Sequence, residues 1–327
     1  MVVRSTVAGL VAAILVLAGS VATSAQQAAR VYRIGFVSPT SPGPTMRAFR
    51  QGLSEAGYVE GQNVIIEARF AEGQSERLSE LVAEALSLKV DVLVVGSTAG
   101  ALAAKKATSQ VPIVFAGLLD PVGSGIVASF ARPGGNITGA TMGVGEGFAG
   151  KWVDLLKEAV PGMSHIAAFS NSASAPTMES VREMQAAART LNVRLDVLDT
   201  GSLTKLERAF AAIGTSGARG VIVPNDPFLF SQRAKLVHFA ASKRLPAMYF
   251  TNDFVDIGGL MSYGASLAES YRRAATYVDK ILKGAKPVNL PIERPTKFEL
   301  VINLRTARAL ELMIPQPLLV RADRFIE

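Results

Sequence analysis

Short runs rich in β-branched residues alternate along this chain with longer amphipathic stretches, and that rhythm predicts the fold. Tyr32–Val37 precedes a helical pattern over 45–57, Val64–Arg69 precedes 75–88, Val90–Val95 precedes 97–107, and Val111–Ala116 precedes a shorter stretch at about 122–130. The run Val-Asp-Val-Leu-Val-Val at 90–95 is nearly continuous in apolar character, as expected of a parallel strand buried on both faces and covered by helices on each side. The rhythm pauses at Arg132-Pro133-Gly134-Gly135-Asn136, which opens a Gly-rich segment to Gly150 with little core-forming mass. A lobe boundary is expected there. A second series follows: His165–Ser170 with a helix over 174–191, Arg194–Leu198 with 203–213, Gly220–Val223 with 228–244, then short strands near Ala247–Phe250 and Leu260–Tyr263. The expected class is therefore α/β, with two lobes, each a parallel sheet flanked by helices.

The stretch 266–283 begins with the capping box Ser266-Leu-Ala-Glu269 and places Leu267, Tyr271, Ala274, Val278, Ile281 and Leu282 on one face, the pattern of a packing helix. Lys283-Gly284-Ala285-Lys286-Pro287 ends it, since Gly supplies a left-handed cap and Pro cannot continue a helix. The tail carries one strand-like run, Phe298–Asn303, and one short helical stretch, 304–312.

Residues 1–25 form a different kind of segment. Arg4 precedes an apolar core from Val7 to Leu17, and small residues follow up to Ala25. That core is too short to span a bilayer, and Thr23 and Ala25 suit a cleavage site, so a signal peptide cut near Ala25 and a periplasmic address are expected. The 327 residues include no Cys and only two His, His165 and His238. Disulfides, thiolate metal sites and a Cys nucleophile are excluded by that count. The net charge of +7 is spread along the chain, with Lys105-Lys106 and Arg272-Arg273 the tightest basic pairs, so no nucleic-acid partner is expected.

Motifs for catalysis are weak. One literal G-x-G-x-x-G, Gly145–Gly150, lies at the lobe boundary rather than in a first βα turn, and Ser170-Asn171 stands where a dinucleotide fold would place an acid, so a crossover is the better reading. Gly96-Ser97-Thr98-Ala99-Gly100 resembles a nucleophile elbow, but Val95 stands two before the Ser. No H-E-x-x-H or acidic calcium loop occurs. No catalytic residue, metal ligand or cofactor site is therefore assigned.

What remains is a set of polar residues directly after strands, where ligands bind at the carboxyl edge of parallel sheets. Ser38 and Thr40 follow the first strand, Ser97 and Thr98 the third, and Asp120 the fourth, with Asn171 and Asp226 in the second series. Ser97-Thr98 opens a helix whose free N–H groups suit a carboxylate, while Asp120 and Asp226 suit an ammonium group. Phe228, Phe230, Tyr249, Phe250 and Tyr263 stand where they could cover an apolar side group. Asp120 and the Ser97-Thr98 start are the expected first-lobe contacts, joined across the cleft by Asn171, Asp226 and Tyr263.

Gly57-Tyr58-Val59-Glu60-Gly61-Gln62-Asn63-Val64, Val111-Pro112-Ile113-Val114-Phe115, Asp120-Pro121-Val122, Arg132-Pro133-Gly134-Gly135-Asn136-Ile137-Thr138-Gly139, Gly258-Gly259-Leu260-Met261-Ser262-Tyr263-Gly264 and Lys297-Phe298-Glu299-Leu300-Val301-Ile302-Asn303-Leu304 resemble one known family. It is the solute-binding proteins of ABC importers, in the branch described as tryptophan/tyrosine-type. The resemblance implies a type I periplasmic-binding-protein-like fold, with lobe 1 from 30–140 plus 265–285 and lobe 2 from 141–264 plus 286–327. It also implies hinge crossings near 137–147, 260–266 and 286–296. A monomer that passes a small polar solute, an amino acid or related compound, to an ABC permease by hinge closure is the implied function. An exported hydrolase-like enzyme and a ligand-sensing module are the rival readings. Two departures from the family pattern, Asn171-Ser172-Ala173 for Asn-Pro and Leu118-Leu119-Asp120-Pro121 for a Gly-rich version, alter the rim of the cleft.

Overall fold

In the computed structural model, which describes residues 30–143 and 147–327, the apolar runs become the strands of two sheets. The expected signal peptide with its cut near Ala25, and Gly145 and Glu146 of the glycine motif, lie outside the described residues. Five parallel strands form the first sheet in the order β2-β1-β3-β4-β5: β1 Tyr32–Ser38, β2 Val64–Phe70, β3 Val92–Val95, β4 Ile113–Leu118 and β5 Ile137–Thr141. All four residues of β3 are buried because both faces are covered. Ile34, Phe36, Val92, Val94 and Val114 pack in one layer beneath helix α1 Pro44–Glu55 and the helix Leu267–Leu282. Leu93, Val95, Ile113 and Phe115 pack in the other, against α2 Leu78–Ser87 and α3 Thr98–Ala107. Each such side chain contributes about 1.5–3 kcal/mol through its burial, so the two-sided apolar runs dominate the stability of this sheet.

Seven strands form the second sheet in the order β12-β11-β10-β9-β8-β6-β7. They are β6 His165–Ser170, β7 Arg194–Asp199, β8 Val221–Val223, β9 Ala247–Tyr249, β10 Met261–Gly264, β11 Glu299–Asn303 and β12 Arg324–Ile326. The helices after the boundary are α4 Gly150–Ala159, α5 Ala175–Thr190, α6 Leu203–Ser216, α7 Pro227–Ser231, α8 Arg233–Ser242, α9 Leu267–Leu282, α10 Leu304–Ala309 and α11 Gln316–Arg321. After β10 the chain leaves this sheet, lays α9 on the first sheet's α1, and returns as β11, which pairs antiparallel with β10. The α1–α9 approach is close: a Cβ on Gly52 would stand 2.8 Å from Ala275 Cβ. Half of the capping box forms as the sequence predicts: Ser266 Oγ accepts Glu269 N–H at 3.2 Å, while the Glu269 carboxylate accepts from Arg273 Nε at 3.3 Å.

Four details differ from the sequence expectation. The stretch 122–130 is a series of turns, because Pro121, Gly123 and Gly125, the last at φ 69°, favour turns over a helix. Ile137–Thr141 is a fully buried edge strand, so the Gly-rich segment begins as sheet; a Cβ on Gly139 would stand 2.1 Å from Phe115 O, and only glycine lets β5 lie this close to β4. The single helix expected over 228–244 breaks at Gln232 into α7 and α8. The tail adds α11 and β12, both too short to show a period.

Candidate functional site

Parallel strands end on the same side of a sheet, and here the carboxyl edges of the two sheets face one another across a cavity of about 470 Å³. Thr40 after β1, Gly96, Ser97 and Thr98 after β3, and Gly117 and Leu118 in β4 form the first wall. Asn171 after β6, the start of α5, and Asn225, Asp226 and Phe228 after β8 form the second, with Phe230 and Phe250 behind them. Leu267 and Tyr271 of α9 close the end between the walls. At the mouth the sheets' loops meet directly: a Cβ on Gly73, after β2, would stand 2.7 Å from Ser231 Oγ, and one on Gly43 would stand 3.7 Å from an Arg233 nitrogen.

The second wall is built around Asp226, whose side chain is almost wholly buried. Its Oδ1 accepts Leu229 N–H at 3.0 Å as the cap of α7, and its Oδ2 accepts Asn171 Nδ2–H at 3.0 Å and, more weakly, Thr177 Oγ1–H at 3.4 Å. Burial raises its pKa above the usual carboxylate range, with the hydrogen bonds from Leu229, Asn171, Phe228 and Thr177 opposing that shift. Asn171 is held in turn, its Oδ1 accepting Ala173 N–H at 3.1 Å. This wall therefore offers a desolvated carboxylate backed by an amide, beside phenyl rings.

The first wall carries no buried carboxylate. Ser97 caps α3, its Oγ accepting Gly100 N–H at 3.1 Å, and Thr98 begins that helix at the cavity surface. Among the described lining residues the charged side chains are Glu76, exposed near the mouth, and Asp226; none is basic.

Of the residues expected from sequence, the structure brings Thr40, Ser97, Thr98, Asn171, Asp226 and Phe228 together around this cavity. It does not bring Ser38, Asp120 or Tyr263 there. Ser38 is fully buried beneath the floor, where its Oγ accepts Thr40 N–H at 3.2 Å, so it supports Thr40. Asp120 is exposed, its Oδ1 accepting Gly123 N–H at 2.7 Å in a turn, and it lines an adjoining groove of about 670 Å³ that shares Leu119, Ser124, Asn225 and Phe250 with the cavity. Tyr263 is stacked on Phe148 at 5.1 Å between ring centroids, and its carbonyl accepts Trp152 Nε1–H at 2.7 Å. Tyr249 lies in the core against Phe254, at 4.6 Å, while Phe230 and Phe250 do reach the cavity. Tyr271, like Leu267, is a lining residue that pattern reading missed: its spacing marks it as a packing residue of α9, which its ring is, and only the fold shows that its hydroxyl end reaches Gly96.

Neither histidine enters the cavity. His165 Nε2 is bonded to Asp196 Oδ2 at 2.7 Å on the flank of β6, and His238 is exposed on α8. Among the described residues no group of three or more His, Asp or Glu is placed to hold a metal ion, and no helix is long and apolar enough to cross a membrane.

Residues 33–326 match the family model for ABC transporter substrate binding protein. A tyrosine-binding protein of Clostridioides difficile (strain R20291) is 25% identical over 267 residues, which is 81% of this chain and 76% of that protein. Among solved structures, an ABC domain from Streptococcus pneumoniae in complex with L-Trp has TM-score 0.81 and 25% identity, over 90% of this chain and 100% of that one. A conserved domain protein from Vibrio cholerae O1 biovar El Tor has TM-score 0.82, 25% identity and the same coverage.

Proposed function

The chain belongs to the ABC transporter substrate-binding protein family, and on that premise we propose that it captures a small zwitterionic solute of the amino-acid class between its two sheets and delivers it to an importer permease. The observation that carries the reading is the unlike chemistry of the facing walls. A buried carboxylate with no basic side chain in the lining selects a cationic group on the second wall. Hydroxyls and a helix start on the first wall suit an anionic group, and Phe228, Phe230 and Phe250 suit an apolar side chain. A relative named for tyrosine binding and a neighbour holding L-Trp support the same class.

The protein acts as a monomer in the periplasm after loss of residues 1–25, and it performs no chemistry on its solute. The lobes, 30–140 plus 265–285 and 141–264 plus 286–327, turn about the crossings after β5, between β10 and α9, and near 286–296. That last segment runs beside β5, with Thr141 N–H donating to Glu293 O at 3.0 Å, so two crossings move as a pair. Contacts to both walls exist together only when the mouth is shut, so the solute shifts the population toward closure.

A thermal-shift screen of amino acids, amines, carboxylates, sugars and nucleosides tests this. A ligand at a hundred times its Kd stabilises the folded state by roughly 2.7 kcal/mol, enough to move the midpoint by several degrees. Zwitterionic amino acids with apolar side chains should give the largest shifts. Responses confined to sugars or nucleosides, or turnover of any compound screened, would overturn the reading.

A further inference from the structure

Tyr271 is 2% exposed, its ring packed 5.9 Å from that of Phe36, yet its hydroxyl has no hydrogen-bond partner among the described residues. Three fully enclosed side-chain atoms share that condition, Tyr249 Oη, Ser262 Oγ and Arg272 Nε; Tyr271 Oη differs because it opens onto the cavity. Its position is tied to one glycine. A Cβ on Gly96 would stand 2.1 Å from Tyr271 Oη and 3.0 Å from Pro39 Cδ, so the phenol reaches the cavity only because residue 96 has no side chain. The next residues in the chain are Ser97 and Thr98, the start of the ten-residue helix α3. Ser97 Oγ takes the Gly100 N–H, and the N–H groups of Thr98 and Ala99 have no acceptor among the described residues.

We infer that Tyr271 Oη and the start of α3 form one anion subsite, reached across Gly96, that binds the carboxylate of the solute. The inference rests on the amino-acid reading of the cleft and adds Tyr271, reached across Gly96, as a specific donor to the solute's carboxylate. Burial holds the phenol pKa far above neutrality, so Tyr271 is a hydrogen donor at every physiological pH. Unpaired N–H groups and the positive end of the helix dipole favour negative charge at the same spot. The opposite wall presents the carboxylate of Asp226, which repels an anion and attracts an ammonium group. The solute therefore lies with its carboxylate on the first wall and its ammonium on the second. A donor set of hydroxyl and backbone N–H, without Arg or Lys, suits a carboxylate that must also be released.

The test is calorimetric. The twenty L-amino acids are titrated into the full-length mature protein, and the tightest binder is compared with its own α-amide and decarboxylated amine. The inference expects the acid to bind at least a hundredfold more tightly than the amide. Tyr271→Phe should weaken the acid tenfold or more, leave the amide within about twofold, and leave the melting midpoint at or above that of wild type, since the lost hydroxyl has no protein partner. Gly96→Ala should reproduce this loss by displacing the phenol, whereas Tyr263→Phe, outside the cavity, should change neither affinity. If wild type binds amino acids but Tyr271→Phe binds the acid unchanged, or loses acid and amide alike, the subsite is wrong and the amino-acid reading stands. If wild type binds no amino acid, that reading fails and the inference with it.

Discussion

Asp120 and Asp226 share a local signature: each follows a strand of a parallel sheet and each precedes Pro. They finish in opposite surroundings. Asp226 leaves β8 straight into the cleft, caps α7 and is 1% exposed. Asp120 lies beyond an irregularity in β4, where the register with β5 shifts between Ala116 and Leu118 around Gly117 at φ 75°. Such a bulge bends the strand and re-aims the residues beyond it, and the Asp120 carboxylate ends in an exposed turn on the Gly123 N–H. A strand-end aspartate is therefore a binding candidate only if its strand runs undistorted to the sheet edge.

The largest effect that could break this contrast is on binding at the second wall. Asp226→Ala removes the partner of a desolvated ammonium group and should cost about 2–5 kcal/mol of affinity by calorimetry, with about 1 kcal/mol of stability lost through the helix cap. Affinity within threefold of wild type would put Asp226 in the same structural role as Asp120.

Next in size is the pH dependence of the solute-free protein. Burial raises the folded-state pKa of Asp226 above its unfolded value, so the folded form holds a proton more tightly. Its favourable contribution is complete below the ordinary carboxylate pKa and is lost as pH rises through the raised value. Asp226→Asn abolishes this titration and can still accept Leu229 N–H. Its melting midpoint relative to wild type should therefore climb with pH across the acid range and then level off. A difference independent of pH would mean that the folded carboxyl is not shifted by burial.

The smallest effect is at the other aspartate. Asp120→Ala should change both affinity and melting by no more than about 0.5 kcal/mol, the usual scale for an exposed turn residue. A tenfold loss of affinity would bring the groove beside Asp120 into the binding site.

These two corners also show how far the sequence could be read. Two-sided apolar runs such as Val92–Val95 declare buried parallel strands directly, and the capping box at Ser266 declares the start of α9. Thr40, Ser97, Thr98, Asn171, Asp226 and Phe228 follow from their places after strands, because parallel strands all end on one edge. Three kinds of position were hidden. A bulge at Gly117 leaves no periodic trace, so Asp120 could not be told from Asp226. Ser38 is the last residue of β1 and lies under the floor, whereas Pro39 and Thr40, just past the strand end, line the cavity, and the residue at which a strand ends lies below what position in the chain resolves. Tyr271 sits at packing spacing on α9, and its second role depends on a glycine 175 positions earlier in the chain.

The most direct test of capture between the sheets uses the mouth. A Cβ on Gly73 would stand 3.5 Å from Ser231 Cβ, at the short end of the roughly 3.5–4.5 Å found in disulfides. The chain has no cysteine, so Gly73→Cys with Ser231→Cys creates a single possible bridge; the left-handed φ of 86° at Gly73 costs about 1–2 kcal/mol, which a melting control measures. The double variant is equilibrated with the radiolabelled amino acid that binds wild type most tightly, oxidised and desalted. The account predicts that oxidation is faster with the amino acid present, and that the bridged protein keeps the label through desalting and releases it when a reductant opens the mouth. A bridged protein that loses its label as fast as the reduced one would contradict it.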